Sequence, residues 1–93
     1  MTKQEIKQLI LDSDYKNKDV IILWKYQPYG RIGFVEKSVK TANWNKEYNG
    51  FNYLVDPYTT RMELFTLNQL VDYIEKYNFY AGFEFKILRA DDE

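Results

Sequence analysis

Val20-Ile21-Ile22-Leu23-Trp24 is the longest apolar run in the chain, and it marks the point where the sequence changes period. All five residues are strand formers, and both alternating sets, Val20/Ile22/Trp24 and Ile21/Leu23, are apolar. That pattern predicts an interior strand covered on both faces. At five residues the run is far too short to cross a bilayer.

Upstream, Thr2 with Glu5 three residues later forms a capping box, and Ile6, Leu9 and Ile10 follow at helical spacing. These signals predict a helix over residues 3–12, closed by the polar turn Asp12 to Lys18. Downstream, Gln27-Pro28-Tyr29-Gly30 reads as a turn leading into a second strand over 31–39, so the two strands form a hairpin. Residues 40–50, rich in Asn and ending in Asn49-Gly50, read as a loop. Phe51, Tyr53 and Val55 alternate as a third strand stopped by Asp56-Pro57, and Met62 to Phe65 give a short fourth one.

Thr66 with Gln69 repeats the capping box, and Leu67, Leu70, Val71, Ile74 and Tyr77 fall on one helical face, which predicts a helix over 67–77. Phe83, Phe85 and Ile87 alternate as a last strand before a polar tail. The order is α-β-β-β-(β)-α-β. The expected architecture is one compact α+β domain over residues 1–93, an antiparallel sheet of four or five strands with two helices packed on one face. Trp24, Tyr26, Phe34, Phe51 and Tyr53 are more aromatic bulk than two short helices hide, so aromatic surface is expected to remain exposed.

The chain of 93 residues is long enough for one core without staples, and it contains no cysteine and no histidine. Disulfides, thiolate chemistry and the usual zinc ligands are thereby removed. Ser13, Ser38 and the threonines have no histidine to activate them, and no S-x-x-K signature occurs. Gly30-Arg31-Ile32-Gly33 lacks the lysine and the following helix of a phosphate-binding loop. Asp12-Ser13-Asp14 lacks the glycine and closing glutamate of a calcium loop. The expectation is a non-enzymatic protein with no metal and no cofactor, acting in the cytoplasm with no membrane association.

Binding is the remaining function class. Tyrosine and tryptophan supply large contact area with few rotors to freeze, and the chain has nine tyrosines. The candidate protein-binding patch is Tyr26, Tyr29, Trp44, Tyr48 and Tyr58, joined by the acids Glu47, Asp56 and Glu63. The alternative is a small single-stranded nucleic-acid-binding domain. Lys25, Arg31 and Lys37 lie on or beside strands 19–39 together with Trp24, and bases stack on such rings while phosphates meet the cations. A sequence pI of 5.5 and the lack of an RNP signature or G-x-x-G loop rank it second. A homodimer through an exposed strand edge is compatible with the same pattern.

Charge is distributed unevenly although the net charge is only −1: residues 16–46 are basic and residues 47–93 are acidic. No stretch carries a known family motif. The bulk features resemble small accessory proteins of phages and mobile elements: one short domain, no catalytic kit, and many Lys, Asn, Ile and Tyr, as an AT-rich genome encodes. That resemblance implies inhibition of a host enzyme or defence complex by occupying its surface, as anti-CRISPR proteins do. Glu47, Asp56, Glu63, Asp72 and Glu75 would meet a basic, nucleic-acid-handling target while the aromatics supply desolvated contact.

Overall fold

A computed structural model describes residues 1–27, 38–56 and 61–89, with only the backbone described for 54–56 and 61. Its elements are α1 (Lys3–Asp12), β1 (Val20–Gln27), β2 (Ser38–Asn45), β3 (Gly50–Asp56), β4 (Arg61–Phe65), α2 (Leu67–Glu75) and β5 (Ala81–Arg89). The strands form one five-stranded antiparallel sheet in the order β4-β3-β2-β1-β5. The α+β fold is therefore the one the sequence pattern predicts. Among the described residues no helix is long and apolar enough to cross a membrane.

Both capping boxes form. At α1 the Thr2 hydroxyl accepts from the Glu5 N–H at 3.2 Å, and the Glu5 carboxylate accepts from the Thr2 N–H at 3.3 Å. At α2 the Thr66 hydroxyl accepts from the Gln69 N–H at 3.2 Å, and the Gln69 side-chain oxygen accepts from the Thr66 N–H at 3.0 Å. Each box satisfies donors that the first helical turn leaves without a partner, which fixes where each helix starts.

Both helices pack on one face of the sheet. Ile6 and Ile10 of α1 and Leu70, Val71 and Ile74 of α2 join Ile22, Trp24, Tyr26, Ala42, Phe51 and Tyr53 in one buried cluster. In β1 alternate residues are buried and the intervening ones are not, so β1 is interior in the sheet but covered on one face only. Ile21 is exposed and Leu23 half-buried. Two-face coverage, expected from the unbroken apolar run, is thus corrected: both helices are taken up by the other side.

The segment 40–50 is a second correction, since it is strand and tight hairpin and not loop. Its asparagines have identifiable duties. The Asn45 side-chain oxygen accepts from the N–H of Glu47 at 3.0 Å and of Tyr48 at 3.4 Å, and the Asn45 amide donates to Asn52 at 3.2 Å. Asn49 takes the positive φ of 51° that closes the turn. Gly50 is already in β3, and a Cβ there would stand 2.9 Å from Leu64 Cγ and 3.0 Å from the Phe65 carbonyl oxygen. Its lack of a side chain admits β4, not a turn. Gln27 ends β1, while the rest of the turn expected at 27–30 and most of the strand expected over 31–39 lie outside the described residues; Ser38 and Val39 open β2.

Two stability measurements check this account. Thr66→Ala is expected to lower the unfolding free energy by about 1 kcal/mol in urea titration. Gly50→Ala is expected to cost about 1–3 kcal/mol through overpacking, and adding Leu64→Ala should recover part of that loss. Additive losses in the double variant would refute the close-approach explanation.

Candidate binding surface

The sheet face away from the helices follows from the register. Ile21 pairs with Leu88, Leu23 with Lys86 and Thr41, Lys25 with Glu84 and Val39, and Asn43 with Asn52. On the far edge Leu64 pairs with Asn52 and Met62 with Leu54. This face exposes Ile21, Val39, Met62, Leu64 and Leu88, each between 38% and 55% accessible. A polar band of Thr41, Asn43, Asn45 and Asn52 runs between its two apolar margins. The described charges on it are Lys25, Glu84 and Lys86.

No aromatic residue among the described ones lies on this face. Trp24, Tyr26, Phe51 and Tyr53 are buried on the helix side, and Trp44, Phe65, Phe83 and Phe85 pack against the same core. The expectation that aromatic surface remains exposed is corrected for these residues, because they cover one another. Trp24 stacks on Tyr53 at 5.8 Å and meets Tyr73 edge-on at 6.1 Å, and Tyr26 stacks on Tyr77 at 4.3 Å. Phe34 lies outside the described residues.

The predicted patch is dispersed. Tyr26 is buried and offers no ring to a partner. Trp44, on β2 and not in a loop, is half-buried, packed edge-on to Tyr15 at 5.3 Å and to Phe51 at 5.1 Å, with Lys16 Nζ 5.5 Å from its ring centre. Tyr48 in the β2–β3 turn is 68% exposed, with Glu47 beside it. Glu63 lies on the helix side of β4, opposite Tyr53. Asp56 ends β3, with only its backbone described, and Tyr29 and Tyr58 lie outside the described residues. Asp72 pairs with Lys3 at 3.1 Å, and Glu75 lies close enough to act on the same lysine.

In the nucleic-acid set, Trp24 is fully buried and has no face open to a base. Lys25 is half-buried on the open face, while Arg31 and Lys37 lie outside the described residues. The exposed aliphatic residues give little signal in the sequence, since each is unremarkable alone. The signal lay in the second phase of the strand alternation, where Ile21, Leu23, Met62, Leu64 and Leu88 recur.

The helix side carries a ladder of phenols. Tyr77 Oη donates to Tyr73 Oη at 2.9 Å, and Tyr73 Oη donates to Tyr53 Oη at 3.0 Å. Tyr26 lies beside it, its ring stacked on that of Tyr77 at 4.3 Å. Burial first, and then the hydrogen bond to Tyr53, push the Tyr73 phenol up to about 12. Burial and the bond to Tyr73 do the same for Tyr77, also to about 12. Burial likewise raises Tyr53 and Tyr26. These groups stay neutral at physiological pH, and the bond from Tyr73 to Tyr53 links α2 to β3.

An open groove of about 290 Å³ between α1 and α2 is lined by Lys3, Gln4, Lys7, Asn68, Val71 and Asp72, with the Lys3–Asp72 ion pair among them. Among the described residues no group of three or more acids could hold a metal ion. No family model matches the chain, and no curated protein or solved structure matches it.

The phenol ladder makes stability depend on alkaline pH. Tyr73 and Tyr77 have folded values of about 12 against 10.0 for the free group, so between those values the folded state holds protons that the unfolded chain releases. Their contribution is complete below pH 10.0 and is lost as pH rises toward about 12. Denaturation midpoints should fall across that window, and the fall should be shallower in Tyr73→Phe. Tyr73→Phe itself should cost about 1–2 kcal/mol at neutral pH, since it leaves the Tyr77 hydroxyl without its acceptor. Equal slopes for the two proteins above pH 10 would refute the ladder's role.

Proposed function

We propose that this chain is a non-enzymatic protein-binding module that occupies the surface of a host enzyme or defence complex in the cytoplasm, using the open face of its sheet. The observation that carries this reading is the set Ile21, Val39, Met62, Leu64 and Leu88, exposed together on one side of a sheet whose other side packs against both helices. Exposed apolar residues that share one face of a monomer mark contact surfaces more often than scattered ones do. The two apolar margins flank hydrogen-bonding groups, and Lys25 suits a partner with an apolar patch and acidic groups at its rim.

The described acids support a basic target less well. Asp72 and Glu75 act on Lys3, Glu63 faces Tyr53 and Glu47 sits in a turn. The nucleic-acid alternative is weakened by the same geometry, because bases need exposed rings to stack on and the described open face has none.

The test is capture from nuclease-treated lysate of the source or host cells on the immobilised protein, compared across variants that keep the native circular dichroism spectrum. Val39→Asp and Leu64→Asp are each expected to abolish retention of the same protein, while Tyr48→Ala leaves it. Retention unchanged in both aspartate variants would sink the assignment of this face. Retention of nucleic acid from untreated lysate, with no protein retained from the treated one, would turn the reading to the nucleic-acid alternative.

A further inference from the structure

We propose that β5 is a self-association edge: a second copy of this chain pairs antiparallel with it about a twofold axis passing through Phe85. The inference stands apart from the reading of the open face, since it concerns the sheet's edge. β5 is the outermost strand, nine residues long, bonded to β1 alone among the described strands. Its pairing with β1 is regular from Arg89 to Glu84, and the register shift lies beyond, between Lys25 and Gln27. The opposite edge, β4, has only five residues. The regular stretch from Glu84 to Arg89 presents a row of backbone donors and acceptors ready for another strand, while Gly82 near the other end takes a positive φ of 69°.

The sequence of the edge identifies the partner. β5 reads Ala81-Gly82-Phe83-Glu84-Phe85-Lys86-Ile87-Leu88-Arg89. A twofold axis perpendicular to a sheet keeps each side chain on its own face, so the axis must pass through a residue position. With the axis at Phe85, Glu84 stands opposite Lys86 of the second copy and Lys86 opposite its Glu84, on the open face. On the helix side Phe83 meets Ile87, Ile87 meets Phe83, and Phe85 meets its own equivalent. Moving the axis to Glu84 or to Lys86 places like charges face to face. One register therefore satisfies charge and apolar pairing together.

The charges are also available. Glu84 and Lys86 are exposed, and neither makes an ion pair among the described residues. Glu84 has Lys25 across the ladder on β1, whereas Lys86 has only Leu23. Pairing would therefore extend a row Lys25, Glu84, Lys86, Leu23 across the junction. The second copy would sit with its helices on the same side, giving one continuous ten-stranded sheet.

Sedimentation equilibrium on the full chain tests the proposal. The wild type is expected to dimerise reversibly, and Glu84→Lys, with like charges twice apposed, to raise the dimer dissociation constant about tenfold. The double reversal Glu84→Lys/Lys86→Glu should restore the wild-type constant. Since the chain has no cysteine, single variants Glu84→Cys and Lys86→Cys, mixed and mildly oxidised, should form a disulfide-linked heterodimer faster than either forms a homodimer. Both positions are exposed, so folding is spared, and circular dichroism verifies this. A wild type that stays monomeric across the accessible concentration range overturns the proposal. So does a dimer indifferent to Glu84→Lys, or heterodimer cross-linking no faster than homodimer cross-linking.

Discussion

Two helices of ten and nine residues must serve a five-stranded sheet, and most of the structure follows from that mismatch. Helices of this length are about 15 Å long and about 10 Å wide, whereas strands of seven to nine residues run about 23–31 Å. Side by side, the helices span one face in width but fall short along the strands. The remaining length of that face is filled by large side chains: Tyr15, Trp44 and Phe51 form one cluster, and Tyr26, Tyr77 and Tyr80 another. The high aromatic content is what lets so little helix seal so much sheet. Nothing is left over for the second face.

Such packing by rings brings polar atoms into the interior. Three tyrosine hydroxyls of the ladder are satisfied by one another, which links α2 to β3 more specifically than apolar contact alone would. Trp24 is the unresolved member: its ring is the centre of the core, and its indole N–H is buried with no hydrogen-bond partner. An unmet donor of that kind costs about 1–3 kcal/mol, and the ring's burial outweighs it. Lys76, 4.2 Å from the centre of the Tyr73 ring, shields the outer end of the same group.

How legible this was depends on the range of the determining interactions. Helix starts depend on residues three apart, and Thr2/Glu5 and Thr66/Gln69 gave both correctly. Alternation placed β1, β3, β4 and β5 to within a few residues. The 40–50 segment reads as loop because Asn and Gly are ambiguous in isolation. Asn45 acts through a turn contact and Gly50 through its neighbour on β4, and neither is visible without the pairing. Coverage of the sheet faces was also out of reach, since Ile21 reads the same whether or not a layer lies over it. The candidate surface differs for that reason: Trp24 and Tyr26 are needed inside, whereas Tyr48 and Phe79 stay exposed off the sheet and aliphatic side chains occupy its open face.

The open face and the β5 edge are linked by symmetry. A twofold axis perpendicular to the sheet leaves both open faces on the same side, so Leu88 and Ile21 of each copy border the junction and Met62 and Leu64 occupy the two far margins. Pairing through β5 would place two apolar faces side by side in one sheet. Edge and face would then make separable demands: main-chain hydrogen bonds and the Glu84–Lys86 pairs would assemble the copies, and the aliphatic side chains would remain for a different molecule. A target with twofold symmetry, or one with an extended flat surface, would meet both halves at once. Its effective affinity would then exceed that of a single face by the concentration advantage of the second contact.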